Sequence, residues 1–183
     1  MNILLDVATV YYGDINLTED KLDTLDTVLT EENKIGFTKD GLKVEAKPNV
    51  RQIEFDGRRE RSIAGYDRVL GWTVEVECDA LEILDRPEAL GLVKDTTATK
   101  STKYDTYRPN HDLQYKDLVL VGELHSGKTP AIIHIHNAFN EGGLQFEQKD
   151  SDESAFSLKF IGSYDKNSDK VPMDVYLPKK AMA

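Results

Sequence analysis

Residues 122 to 129 read GELHSGKT and satisfy every fixed position of the phosphate-binding pattern G-x-x-x-x-G-K-[ST], with the apolar run Leu118 to Val121 ahead of them as the strand that pattern expects. In that chemistry the loop leads into a helix, whose N-terminal amides and the lysine hold the phosphate oxygens. Here the pattern leads into Pro130 and then AIIHIHNAF, where Ile132, Ile133 and Ile135 interleave with two histidines. Such a run makes a poor helix and a good strand. No apolar run ending in a metal-holding aspartate follows either, because LEILD precedes the pattern and KFIGSYD is too broken. The expectation is a β-hairpin, with strands at about 116–124 and 131–138, Gly127 turning the tip and Lys128 solvated.

His134 and His136 are two apart on that return strand and project from one face, which is how a zinc site can begin. The further ligands it needs are not marked, since only His111 and His125 remain as histidines, and the pair is expected to be partly buried or at an interface beside Ile132. Cys78 falls on the apolar side of a strand and reads as a small core residue. The acidic residues show no spacing that implies acid/base work. Arg58, Arg59 and Arg61, flanking Glu60, make the densest basic patch and are expected to meet carboxylates of a neighbouring subunit. No catalytic residue, cofactor or metal is expected from these patterns, and the chain is not expected to be an enzyme.

The elements that would position these residues follow a period of two. In WTVEVEC, Trp72, Val74, Val76 and Cys78 alternate with Thr73, Glu75 and Glu77, the pattern of a half-buried antiparallel strand. FSLKF repeats it with Phe156, Leu158 and Phe160, and LQFEQ with Leu144 and Phe146. NVRQIEFDG adds Val50, Ile53 and Phe55, and IGFTKDGLKVEA reads as two short strands around a tight turn at Asp40-Gly41. Two stretches invite a helix. LTEDKLDTLDTVLTEEN places Leu22, Leu25 and Leu29 on one face despite four threonines. DALEILDRPEALGLV gives a helical segment at about 79–93, which Pro87 divides and Gly91 ends. Residues 94–110, KDTTATKSTKYDTYRPN, carry no apolar pattern and are expected as a long exposed loop.

Composition bounds the whole. The 183 residues suit one globular domain, and 33 acidic against 23 basic residues give a net charge of −10. That balance repels phosphates and argues against sequence-reading DNA binding. One cysteine allows no internal disulfide and favours assembly in a reducing cytoplasm. The opening MNILLDVATVYYGD has no basic region and no long apolar run, so neither a signal peptide nor a membrane span is expected.

In their order, NVRQIEFDGRRERSIAGYDRVLGWTVEVECDALEI, a short helical segment, a long polar loop and LVLVGELHSGKTPAIIHIHNAFNEGGLQFEQKDSDESAFSLKFIGSYD resemble the major tail protein, or tail tube protein, of long-tailed bacteriophages of Gram-positive hosts. The resemblance spans about residues 35 to 177 and rests on sequence order and character, not on a catalytic signature. It implies a mainly β fold, a tail-tube-type β-sandwich or barrel with a flanking α-helix and extended arms or loops. Residues 1–34 would be an N-terminal arm, 35–178 the sandwich domain and 179–183 a C-terminal tail. It also implies a structural virion protein, assembled in the host cytoplasm, whose hexameric rings stack into the conduit for DNA ejection. DNA would pass without sequence-specific binding. The implied partners are other copies of the chain, a tape measure protein, a tail terminator and distal tail or baseplate proteins, with no membrane. Subunit-interface candidates are then Arg58, Arg59, Arg61, Ser126, Gly127 and Lys128, and lumen-facing candidates are Glu75 and Glu77. The N-terminal region and the loop 94–110 are expected to order on meeting a neighbouring ring. Beside this stand two other readings, a monomeric β-sandwich binding module and a nucleotide binder at residues 122–129.

Overall fold

The computed structural model describes residues 9–36, 38–52, 64–81, 86–97, 101–122, 129–147 and 155–179. The chain is mainly β. Its strands are β1 (Thr9–Gly13), β2 (Thr38–Gln52), β3 (Asp67–Ala80), β4 (Leu92–Lys94), β5 (Tyr107–Pro109), β6 (Lys116–Gly122), β7 (Ala131–Asn140), β8 (Phe146–Glu147), β9 (Ala155–Gly162) and β10 (Met173–Tyr176). Eight of them form one antiparallel sheet in the order β1-β6-β7-β9-β3-β2, with β10 beside β7 and β8 beside β9.

The sheet curls around its own core. β1 and β9 are three ladder steps apart, which in a flat sheet would separate their backbones by about 14 Å. Yet the Tyr12 and Phe160 rings meet with centroids 5.0 Å apart. Val10, Val74, Val76, Leu118, Leu120, Ile135, Phe156, Leu158 and Phe160 join them in one buried cluster. The alternation in WTVEVEC and FSLKF sets this directly, since Val74, Val76 and Cys78 of β3 and Phe156, Leu158 and Phe160 of β9 are all buried. Each large side chain so buried contributes roughly 1.5–3 kcal/mol.

A second, smaller cluster lies on the other face of β6 and β7, where Val119 and Ile132 pack with Ile15, Leu17 and Leu29. The segment expected as a helix supplies this cover, and Leu22 and Leu25 do turn toward it. It is not one helix, however. It divides into a 3-10 turn at Glu19–Thr24, a single α turn α1 (Leu25–Val28) and another 3-10 turn at Glu31–Asn33. The threonines explain the breaks, because Thr27 Oγ1 donates to the Thr24 carbonyl at 2.7 Å and Thr24 Oγ1 to the Lys21 carbonyl at 3.4 Å. Such bonds compete with a regular helix. Residues 9–33 are accordingly not a detached arm, since β1 pairs with β6 along its whole length and carries Val10 and Tyr12 into the core.

Several other expectations are corrected. Asp40-Gly41 does not turn a hairpin. β2 runs straight through it, and the register against β3 slips between Lys39 and Leu42, so the pair is a bulge that uses the positive φ of Gly41, 84°. Within 79–93, β3 continues to Ala80 and the described helical part is one 3-10 turn, Pro87–Leu90, ended by Gly91 at φ 72°. LQFEQ contributes only the two-residue β8, and Leu144 and Phe146 are exposed. Val50 is exposed too, and Ile53 and Phe55 lie outside the described residues. The loop 94–110 is closed at its base by the β4–β5 pair and by ion pairs Lys94–Asp105 at 2.7 Å and Arg108–Asp95 at 2.8 Å.

Candidate metal centre

β6 and β7 pair antiparallel from Gly122↔Ala131 to Leu118↔Ile135, then the register shifts before Lys116↔Ala138. At the shift His136 and Asn137 of β7 share the space opposite Asp117, and Asn137 takes a positive φ of 49°. Asparagine tolerates that conformation better than most residues. The Asp117 carboxylate supports the bulge by accepting from the Asn137 backbone N–H at 3.4 Å.

This bulge gathers side chains from three strands. Asp117 and Val119 of β6, Ile132 and His134 of β7 and Asp174 of β10 share one face by their register, and His136 leans in at the bulge. His134 Nε2 lies 3.4 Å from Asp117 Oδ2, and His136 Nδ1 lies 3.9 Å from Asp117 Oδ1. The two imidazole rings are 4.0 Å apart. His136 Nε2 is bonded to Asp174 Oδ2 at 2.8 Å, and the Lys170 ammonium donates to the same oxygen at 2.7 Å. Burial pushes the Asp174 pKa up, but the bonds from Lys170 and His136, with their charges, outweigh it and leave the group below its ordinary value.

His134 is different. It is 1% exposed, and neither ring nitrogen has a hydrogen-bond partner, because the approach to Asp117 falls outside bonding geometry. A buried polar group left in that state costs about 1–3 kcal/mol. One ligand atom each from Asp117, His134 and His136 lies within 4.8 Å of the others, the spacing from which a divalent ion can be held. The histidine pair was expected to share a face and to be at least partly buried, and it does and is. The carboxylates that complete the cluster were not expected, and the one usable signal for Asp117 was its place at the start of the strand pairing with the histidines. His111 is exposed between β5 and β6 and is not part of the cluster, and His125 lies outside the described residues.

The remaining candidates separate cleanly. Gly122 ends β6, residues 123–128 lie outside the described residues and β7 begins at Ala131. The GELHSGKT pattern therefore leads into a strand, so its lysine has no helix N-terminus to work with. Ser126, Gly127 and Lys128, like Arg58, Arg59 and Arg61, fall outside the described residues. Glu75 and Glu77 project from the outer face of β3, opposite the buried valines. They are not bare charges, since Lys43 approaches Glu77 at 3.7 Å and Glu45 at 3.1 Å, and Lys159 approaches Glu75 at 3.7 Å and Glu141 at 2.9 Å. Cys78 is buried, and burial, with the nearby Asp79 charge, pushes its thiol up to about 12. No helix among the described residues is long and apolar enough to cross a membrane, which leaves β-barrel insertion untouched. No protein-family model matches this chain, and no curated protein matches it in sequence.

Proposed function

We propose that this chain is a structural subunit that assembles with copies of itself, in the manner of a phage tail tube protein, and performs no chemistry of its own. The observation that carries the reading is the ribbon made by β2 and β3. Among the described residues β9 pairs only with residues 74–80 of β3, so residues 67–73 and their partners in β2 run on past that ladder as a two-stranded ribbon, held at its root by Tyr164, whose hydroxyl accepts from the Trp72 backbone N–H at 2.7 Å. Val50 and Val69 face each other across this ribbon and are 50% and 51% exposed, and Leu70, at the register slip beside them, is 65% exposed. An isolated two-stranded ribbon is marginal in water, and one with exposed apolar residues calls for a partner surface.

The sheet is also open at its ends. β1 and β2 terminate the strand order; the edge of β1 is partly covered by the Tyr11–Lys34 bridge and by the Ile35 N–H donating to the Val10 carbonyl at 2.9 Å, while the edge of β2 has no paired strand among the described residues and offers its backbone groups to another chain. Joining such edges around a ring would satisfy them. Six subunits at a net charge of −10 each would make a strongly negative ring, whose wall repels DNA and lets it slide. The outer face of β2, β3 and β9 carries Glu45, Glu75, Glu77 and Asp79 interleaved with Lys43, Lys47 and Lys159, a charged face suited to a water-filled wall.

Negative-stain microscopy of the purified protein over a range of concentrations tests this, and the expected result is rings or tubes of uniform diameter. A protein that stays monomeric by light scattering at the highest attainable concentration would support the isolated binding module instead.

A further inference from the structure

We infer that the bulge between β6 and β7 is a binding site for one divalent transition-metal ion of the zinc class, held by Asp117, His134 and His136. The site does not depend on how the chain assembles. His136 Nε2 faces a carboxylate at 2.8 Å and donates to Asp174. In the neutral ring Nδ1 is then a lone pair, and it looks toward Asp117 Oδ1 at 3.9 Å. Two acceptors facing each other repel unless a cation stands between them.

His134 raises the same problem from the other side. In the neutral ring one nitrogen is a donor and the other an acceptor, and here both are buried without a partner. An ion beside Nε2 would take its lone pair and the second oxygen of Asp117 together, because that oxygen is 3.4 Å away. Ligand atoms at metal distances of about 2.0–2.2 Å in a tetrahedron stand about 3.3 Å from one another. The His134–Asp117 separation already matches this, and the His136–Asp117 separation needs a closure of about half an ångström, within reach of side-chain rotation.

The support around the donors is of the kind metal sites use. A ligating histidine is oriented by giving its other N–H to a carboxylate, which fixes the tautomer and raises the basicity of the ligating nitrogen. Asp174 does this for His136, and Lys170 in turn fixes Asp174. Two imidazoles select a transition metal over magnesium or calcium, and the absence of a thiolate among the three donors points to zinc, cobalt, nickel or ferrous iron over copper(I). Three protein ligands leave room for water on the ion, as a fourth donor where Asp117 binds through one oxygen and a fifth where it binds through both. The ion would tie β6 to β7 at the point where their register slips.

The test is titration of chelator-treated protein with Zn2+ by calorimetry, alongside the visible spectrum with Co2+. Expected are one ion per chain, a Tm that rises with zinc concentration and a Co2+ spectrum of tetrahedral or five-coordinate type. Asp117→Asn and His136→Gln should lose affinity by more than roughly tenfold while retaining the wild-type circular dichroism, and Asp174→Asn should lose roughly tenfold to a hundredfold. Should a ligand variant fail to fold, the wild-type Co2+ spectrum decides, and an octahedral aquo spectrum overturns the site. Wild-type protein that takes up no zinc at 100-fold molar excess overturns it as well. So does unchanged zinc affinity in folded Asp117→Asn and His136→Gln.

Discussion

Cys78 sits on the inner face of β3, 6% exposed, with its thiol pushed up to about 12 by burial and, secondarily, by Asp79. Only the thiolate reacts with disulfide reagents, so at pH 8 the native chain should be modified on the order of a thousandfold more slowly than the same chain in urea. Stopped-flow labelling measures this, and rapid native labelling would mean that β3 opens locally. The placement of Cys78 is legible because a period of two assigns each residue of WTVEVEC to one face. The same rule makes the pairing of His134 and His136 legible. It does not reach Asp117 or Asp174, which come from different strands and arrive beside the histidines through ladder register and a bulge. Register is a property of two strands together, and neither strand alone encodes it.

At the scale of elements, β9 lies between β7 and β3 and pairs with both at Gly162. Gly162 is the partner of Ala138 in one ladder and of Val74 in the other. A Cβ there would lie 2.7 Å from Ile135 Cγ2, 3.4 Å from Val74 Cβ and 3.5 Å from the Pro172 carbonyl. Ile135 is β-branched and buried, so it has little room to rotate away. Gly162→Ala should therefore cost about 1–3 kcal/mol in urea unfolding with an unchanged m-value, and a neutral result would mean that β7 and β9 can shift apart. Gly41 makes the contrast, having nothing within 4 Å of its Cβ position and needing glycine only for its positive φ. Asp-Gly signals that φ correctly in the sequence, but a tight turn and a bulge ask for the same backbone freedom. What decides between them is whether the flanking residues have a long partner strand, and β3 is that partner. The broken helical segment before β2 has a similar cause. Its leucine spacing survives packing against Val119 and Ile132, while its threonines bond locally and divide the helix.

For the whole molecule, the mainly β architecture is legible from alternation alone, yet alternation understates how far β2 and β3 extend. Their outer halves carry Val50, Val69 and Leu70 without burying them, because the ladder between β3 and β9 stops at Val74. That surplus is the physical link between one subunit and an assembly. It gives a prediction that separates folding from association. Val69→Asp introduces a charge on the ribbon opposite Val50, at a position about half exposed and beyond the last rung of the β3–β9 ladder. On an exposed ribbon the change should cost at most about 1 kcal/mol of fold stability, the span of strand preferences. In an assembly that buries the ribbon, the same aspartate would be desolvated without a partner, which costs several kcal/mol per contact and is repeated at every interface. Val69→Asp should thus leave the thermal unfolding of dilute protein within a few degrees of wild type and abolish the rings or tubes seen by microscopy. Assembly that survives the substitution would remove the ribbon from the interface and leave the edge of β2 as the surface that must carry it.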